Sequence, residues 1–419
     1  MQSHDGDPEN RPQRLYHVVA LACLAHVLSL ANNATFPALI PVFQEAWNLT
    51  NSQSGWISGI YFAGYLLGVP VLVTATDRID PRRIYVGSAV LGGAATLAFA
   101  FLAEGFWSAL LLRAVAGLGM AGTYMVGLRL VSDRLSGAQE SRGASFYLAS
   151  FSIGLALSTY LAGELALEGW RLAFLVAGAM TLAAVVPVLL LPPSPERLRT
   201  SATSGHLLDL RPALRNRTAL GYNIAYACHT WELFGWRTWL VAFLAFAFAW
   251  HGQDRFVGLS PTEWATFLLM LGLPASVLGN EAALRWGRRR SITLIMIASG
   301  VLALTLGFAT LLPLELLIAL VILHAILVIA DSSSLTAGAV AAARSHRGAT
   351  MAVHSLLGFG FAFVAPLVAG LALDLGGPTP LGWGLALACL GLVAALGPLA
   401  FRFLAEDEPR SMAQDLGKE

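Results

Sequence analysis

Long apolar segments alternate with short polar loops along nearly the whole chain. Twelve of them are long enough to span a membrane, since about 20 apolar residues cross about 30 Å of hydrocarbon. Residues 193–216 are a long polar interruption, rich in Ser, Pro and Arg. The pattern predicts an all-α polytopic membrane protein. Two six-helix bundles, at 17–192 and 217–404, are joined by a cytoplasmic linker at 193–216, with polar tails at 1–16 and 405–419.

Arginine positions predict how the helices are oriented. If the N-terminal tail is cytoplasmic, most loop arginines are cytoplasmic, and the opposite loops hold little beyond Arg171 and Arg255. Most tryptophans fall at the opposite helix ends, where amphipathic rings prefer the headgroup layer. We therefore expect both termini to be cytoplasmic and the protein to lie in the cell (inner) membrane. The N-terminal tail lacks the pattern of a cleaved signal peptide.

Composition supports this class. The chain of 419 residues is 56% hydrophobic and only 12% charged, with a mean hydropathy of +0.66, as in polytopic membrane proteins. The net charge of +1 gives no reason to expect nucleic acid as a partner. The three cysteines lie in apolar segments without CxxC spacing, so we interpret them as core residues and not as metal ligands. We expect no metal and no cofactor.

Several short motifs recur at nearly constant spacing. Arg142-Gly-Ala-Ser returns 205 residues later as Arg347-Gly-Ala-Thr, and Leu67-Gly-Val-Pro returns after 204 residues as Leu271-Gly-Leu-Pro. Trp56 likewise matches a tryptophan 208 residues further on. Matches in the same order at similar offsets indicate a parallel duplication, which predicts two bundles related by a pseudo-two-fold axis.

Three motifs resemble those of the major facilitator superfamily: residues 77–83 between helices 2 and 3, residues 113–119 in helix 4, and Gly169-Trp170-Arg171 at the start of helix 6. The resemblance covers residues 15–405 and implies alternating access around a cavity lined by helices 1, 4, 7 and 10. The loop departs from the family pattern, because Val73 stands where a Gly is usual and Asp80-Pro81 replaces a Gly-Arg step.

The resemblance also implies a gate at the cytoplasmic end, in which the loop aspartate pairs with basic residues on neighbouring helices. The residues concerned are Asp77, Arg78, Arg82, Arg129, Asp133, Arg134 and Arg347. The alternative interpretation is that Asp77 and its neighbours serve as a topology signal and a helix cap.

Residues 222–239 place titratable groups inside an apolar segment. At 100° per residue, one broad arc holds Tyr222, Tyr226, His229, Glu232, Trp236 and Trp239, with Arg237 at its edge. A charge at mid-bilayer costs about 2.5–3.5 kcal/mol even on lenient scales, so we expect this arc to face protein or a watery cavity. The alternative is an ion pair of Glu232 with Arg237 or His229 that only holds helices together.

Polar residues also concentrate in helices 1, 4 and 10. We predict proton coupling by Glu232, Asp331 and His229; a link between Arg113 and proton transfer is implied by the resemblance. A guanidinium cannot neutralise itself and can hold a substrate carboxylate through two hydrogen bonds. The predicted substrate-binding residues are Arg237, Tyr222, Tyr226, Trp236, Trp239, Asn33, His26, Tyr124 and His324.

These features predict a secondary active transporter, not an enzyme, because the chain has no HExxH, GxSxG or phosphate-binding loop motif. The favoured function is proton symport of a small anionic or zwitterionic organic solute by a monomer, since residues 151–163 of helix 5 lack the Pro typical of exporters. The alternatives are a proton-coupled efflux antiporter and a receptor that binds a solute without transporting it.

Overall fold

The computed structural model describes residues 10–76, 78–136, 138–192, 210–343 and 346–404; for 10–15, 138, 141 and 347 it describes the backbone alone. Asp77 and linker residues 193–209 lie outside this part of the chain. The described residues are helical, apart from loops and one isolated bridge between Phe256 and Leu259.

Over these ranges, twelve helices form the two halves. Helices α1–α6 of the first half begin with the segments Asn10–Ser29, Asn51–Ala75, Pro81–Leu102, Phe106–Ser132, Ala138–Ala166 and Trp170–Ala183, the last continuing as Val185–Leu190. Helices α7–α12 of the second half are Arg217–Trp250, Pro261–Met270 with Gly272–Trp286, Arg288–Leu306, Leu314–Ala330 with Ser332–Ala342, Arg347–Gly376, and Pro380–Leu396 with Leu399–Leu404. A short helix, Arg211–Arg215, precedes α7.

Helix α1 is broken near its middle. After Ser29 it continues as a 3₁₀ turn, Leu30–Asn32, and then as two short helices, Thr35–Ala38 and Ile40–Trp47. Asn32, Asn33 and Pro37 lie in this stretch; asparagine is a poor helix former, and Pro37 has no N–H to donate to the carbonyl oxygen of Asn33. The break leaves backbone carbonyls without partners in their own helix, and these help to form the site described below.

Within the described residues, eleven helices are long and apolar enough to cross a membrane, and a shorter apolar helix at Tyr16–Asn32 precedes them. Large apolar side chains such as Leu67, Trp107 and Leu375 are mostly exposed, as a surface facing lipid requires. The predicted all-α fold with twelve membrane helices is confirmed. The exact domain boundaries and the cytoplasmic placement of the termini stay predictions.

Local signals explain several helix starts. Thr50 and Gln53 form a capping box at α2, and Ser260 and Glu263 form another at α8. Asp80 caps α3 and accepts hydrogen bonds from the backbone and guanidinium of Arg82. Partial burial of Asp80 acts to raise its pKa, but these bonds and the Arg82 charge outweigh it, so the pKa lies below the usual value.

The two halves meet mainly where α2 packs along α11 and where α5 packs on the first part of α8, Pro261–Met270. The second part of α8, Gly272–Trp286, makes far less contact with α5. Both close contacts lie toward the end of the molecule that carries residues 47–51 and 376–380, here called the outer end; the opposite end is the inner end. The bundles are thus joined more tightly at the outer end.

Candidate functional site

A cavity lies between the two bundles. Its walls come from the break in α1, from α2, α4 and α5 of the first half, and from α7 and α8 of the second. The lining residues are Asn33, Ala34, Pro37, Ser58, Phe62, Arg113, Leu155, Thr159, Phe234, Arg237, Thr238 and Leu269. Two of them, Arg113 and Arg237, carry a positive charge.

Arg113 of α4 forms hydrogen bonds with the backbone of α1 at its break. Its two Nη atoms donate hydrogen bonds to the carbonyl oxygens of Asn32, at 2.7 Å, and Asn33, at 3.0 Å. Its Cζ lies 4.3 Å from the centre of the Tyr61 ring, in a cation–π contact. Arg113 is 3% exposed, and its Nε atom has no hydrogen-bond partner in the described part of the chain. It thus combines a structural role with a charge at the cavity wall.

Ser158 of α5 supports the same break. Its hydroxyl donates to the carbonyl oxygen of Ala31 at 2.6 Å and accepts from the backbone N–H of Ala34 at 3.1 Å. A side chain from another helix thus satisfies backbone groups that the break frees. The cavity wall formed by α1 is therefore fixed by α4 and α5 together.

Arg237 of α7 reaches the cavity from the second half. Its Cζ lies 5.6 Å from the ring centre of Phe234 and 5.9 Å from that of Phe151 on α5. In the described residues, no carboxylate pairs with it; Glu232 and Asp331 have histidine partners instead. Aromatic faces weakly favour a cation but do not neutralise it.

Glu232 points into the second bundle. Its Oε1 atom lies 3.0 Å from Nε2 of His324 on α10 and accepts a hydrogen bond from Ser299 of α9 at 2.9 Å. The His324 ring packs edge-on against Trp236, with centroids 4.7 Å apart. Glu232 and His324 are both buried. Glu232 therefore pairs with neither Arg237 nor His229, and the two partners that the sequence suggested for it are not the observed ones.

Asp331 lies at the break in α10, and its Oδ1 atom is 2.8 Å from Nδ1 of His229. The two atoms are at ion-pair distance, but their alignment is not that of an N–H···O hydrogen bond, because Asp331 Oδ1 has no such partner in the described residues. Both residues are buried. The second bundle thus contains two carboxylate–histidine pairs, each joining α7 to α10.

The aromatic residues of α7 that were predicted to bind substrate lie in several different places. Tyr222 packs against Phe401, Tyr226 stacks on His354 with centroids 3.7 Å apart, and the Trp239 indole donates to the carbonyl oxygen of Pro366 at 3.0 Å. None of these three residues is among those that line the cavity. Trp236 lines a second, apolar pocket beside Arg237.

The other predicted binding residues lie in the first bundle. Asn33 lines the cavity. His26 stacks on Tyr147, with centroids 4.2 Å apart, and its Nδ1 atom lies 2.8 Å from the Ser150 hydroxyl oxygen. Tyr124 packs on Phe151, 5.7 Å between centroids. His26 and Tyr124 contribute to packing and are not among the cavity-lining residues.

The aromatic residues that do line the cavity are Phe62 and Phe234, which the sequence analysis missed. Both contact Phe359 of α11, at 6.0 and 5.9 Å between centroids. Phe359 also lies 4.3 Å from Tyr65 and 6.4 Å from Tyr124. Because Tyr65 follows Phe62 toward the inner end of α2, this aromatic layer lies between the cavity and the inner end. An isolated Phe in an apolar helix carries no sequence signal for such a role.

A family model described as Major Facilitator Superfamily matches residues 21–277. The chain belongs to this superfamily. Among curated superfamily relatives, human Protein spinster homolog 1 is 24% identical over 245 residues, which cover 56% of this chain and 46% of the relative. The Niacin transporter NiaP of Acinetobacter baylyi is 26% identical over 176 residues, 41% of this chain and 39% of the relative. The chain spans less than half the length of these relatives.

Solved structures share the whole fold. A bacterial homolog of the human lysosomal transporter spinster, in an inward-facing and occupied conformation, aligns with a TM-score of 0.76 at 15% identity, covering 97% of this chain and 100% of that one. A point mutant of the nucleoside transporter NupG also aligns with a TM-score of 0.76, at 13% identity, covering 94% of this chain and 100% of that one. At such identities the likeness establishes the superfamily fold and no more.

The residues predicted to form the gate have local partners where they are described. Arg82 pairs with Asp80 at 3.0 Å, and Arg129 lies 3.7 Å from Asp133 on the next turn. Arg134 donates to the carbonyl oxygens of Leu130 and Pro192. Asp77 and the side chain of Arg347 lie outside the described part of the chain, and Arg78 has an interaction of its own. The gate predicted at the inner end stays a prediction.

Proposed function

We propose that the protein is a secondary active transporter that moves a small organic anion across the membrane by alternating access, in symport with protons. The observation that carries the proposal is the cavity between the bundles, to which Arg113 and Arg237 each contribute a guanidinium. No carboxylate is among the residues that line it. A bound anion supplies the missing negative charge.

Energetics favour an anion at this position. A buried charge without a counter-ion is costly, whereas guanidinium groups bind carboxylate or phosphate through paired, charge-assisted hydrogen bonds. Binding of a cationic solute is unfavourable here, because the cavity wall carries two positive charges and no acidic residue. The name of one relative is in keeping with this, since niacin is a carboxylic acid.

The two carboxylate–histidine pairs support proton coupling. Binding or releasing a proton changes the charge of a buried pair, and each pair joins α7 to α10. A change of charge biases a conformational equilibrium when the two conformations solvate the group differently. Glu232 is also on the same helix as Arg237, little more than one turn away, so a change at the pair reaches the cavity over a short distance.

Proton-coupled efflux by antiport is the second candidate, since the same pairs serve either direction. The absence of Pro from residues 151–163 favours uptake. A non-transporting solute receptor is the third candidate, and flux measurements separate it from the other two.

The test is uptake into proteoliposomes under an imposed pH gradient. The panel pairs each anion with a neutral analogue of the same skeleton, for example nicotinate with nicotinamide and succinate with succinamide. We expect accumulation of anions that a protonophore abolishes, and a larger loss of anion binding than of neutral-analogue binding in Arg237→Ala. Arg171→Ala, which removes a cation outside the cavity, is the matched control. Saturable binding without flux would indicate a receptor, and accumulation of neutral analogues alone would refute the anion proposal.

A further inference from the structure

The charges at the cavity wall do not balance. Two of its twelve lining residues are arginines, and none is an aspartate or glutamate. The two buried carboxylates of the second bundle are already engaged by histidines, Glu232 by His324 and Asp331 by His229. The cavity therefore carries two positive charges that the described part of the protein leaves without an acidic partner.

We propose that the substrate is a dianion that presents one anionic group to Arg113 and the other to Arg237. This inference rests on the proposed function and narrows its substrate class from organic anions in general to dicarboxylates and phosphate monoesters. A monoanion neutralises one guanidinium and leaves the other at the cavity wall with its charge unpaired, which is the costly arrangement.

Each guanidinium retains hydrogen-bonding capacity for an anion. The contacts of Arg113 with the Asn32 and Asn33 carbonyls are to neutral dipoles, so its charge has no anionic partner in the described residues. The Arg237 guanidinium faces the rings of Phe151 and Phe234, which cannot accept in-plane N–H hydrogen bonds as a carboxylate does. Five N–H donors per arginine leave room for an anionic group at each side.

The two cations belong to different bundles, Arg113 to the first and Arg237 to the second. These like charges repel each other across the cavity, and a bridging dianion attracts both. The substrate thus links the two halves electrostatically and favours the conformation in which they close around it. A monoanion bound to one arginine lacks this effect.

The remaining wall limits the rest of the substrate. Phe62, Phe234, Leu155 and Leu269 are apolar, and Ser58 donates its hydroxyl to a backbone carbonyl of its own helix, at 2.9 Å. The wall therefore suits a compact carbon skeleton between the two anionic groups and offers no acidic residue for a substrate ammonium group. Zwitterions are disfavoured on the same grounds as cations.

The experiment compares ligands that share a carbon skeleton but differ in charge. It uses the purified full-length protein in lipid nanodiscs at about pH 7.5, where both groups of each dianion are ionised. The probes are isophthalate and succinate, each against its monomethyl ester, and phenyl phosphate against phenyl methyl phosphate. Isothermal titration calorimetry measures binding, and proteoliposome uptake measures transport. We expect at least one dianion to bind about tenfold or more tightly than its monoester, a difference of about 1.4 kcal/mol. The carboxylate and phosphate arms identify the anionic group.

Variants of Arg237 test whether the dianion contacts both arginines. In Arg237→Gln we expect the affinity of the dianion to fall to that of its monoester, while Arg237→Lys retains part of the preference and Arg171→Gln retains all of it. Thermal unfolding of each variant without ligand shows whether it folds. Equal affinities for dianion and monoester in the wild type, or equal losses for both in Arg237→Gln, would overturn the dianion inference and leave the proposed function standing. If no anion of either charge binds, the proposed function itself fails.

Discussion

The carboxylate of Asp374, at the end of α11, caps the start of α2 through Ser52, whose backbone N–H donates to Oδ2 at 2.9 Å. The backbone N–H and side-chain amide of Asn51 donate to Oδ1 at 2.8 and 3.0 Å. The first N–H groups of a helix lack partners in their own helix and favour negative charge. An acid from the second bundle thus satisfies a helix start in the first, at the outer end.

This relationship predicts that Asp374 stabilises the closed outer end. In the proposed alternating-access cycle α2 and α11 separate there when the cavity opens outward, so Asp374→Ala removes a cap worth about 0.5–2 kcal/mol from the closed state. We expect faster hydrogen–deuterium exchange at residues 51–58 and 366–374, with Asp374→Asn intermediate because its amide oxygen still accepts hydrogen bonds. Asp254→Ala, in the α7–α8 loop, is the control. Unchanged exchange in Asp374→Ala would show that the cap does not limit opening.

A second prediction concerns Gly59, which follows that cap on α2. A Cβ at Gly59 would collide with the carbonyl oxygen of Phe363, so the backbones of α2 and α11 touch. We expect Gly59→Ala to force the outer end apart and to lower the melting temperature or the transport rate. Gly360→Ala, on α11, is the matched control, because a Cβ there has open space around it. Wild-type transport and stability in Gly59→Ala would contradict the close packing.

A third prediction concerns proton coupling. If Glu232 carries the coupled proton, Glu232→Gln abolishes gradient-driven accumulation and retains exchange of substrate across the membrane, since glutamine keeps the shape but cannot release a proton. Uptake against a gradient and counterflow exchange, measured on the same proteoliposomes, separate the two. Full accumulation in Glu232→Gln would exclude Glu232 from the coupling role.

A fourth prediction concerns the contribution of the Glu232–His324 pair to stability. Removing one partner of a buried hydrogen-bonded pair leaves the other polar group unsatisfied and costs about 1–3 kcal/mol, whereas replacing both with apolar residues is often nearly neutral. We expect Glu232→Leu and His324→Leu each to lower the thermal stability more than the double variant does. Calorimetric melting of the four proteins completes a double-mutant cycle. Strictly additive losses would show that the two side chains act independently.

The architecture is predictable from the sequence because the length of an apolar segment determines whether it can span a bilayer. Within α7, the sequence shows the polar stretch but not which way each side chain points. Glu232 turns toward His324, 92 positions away in the sequence, and Arg237, at the edge of the predicted arc, faces the cavity. Helical periodicity gives the angle between residues on one helix, whereas the neighbouring helices decide which angle faces the cavity. Pairings such as Asp331 with His229 leave no local signal for the same reason.

The hydrogen bonds of Arg113 to the carbonyls of Asn32 and Asn33 restrict how the selectivity of this protein can be altered. A substitution at Arg113 removes both these hydrogen bonds and the charge offered to a solute, so its effects on substrate preference and on helix structure are coupled. Arg237 has no comparable tie to the backbone among the described residues. Redesign of solute preference, in the laboratory or over evolution, therefore has its freer starting point in the seventh helix.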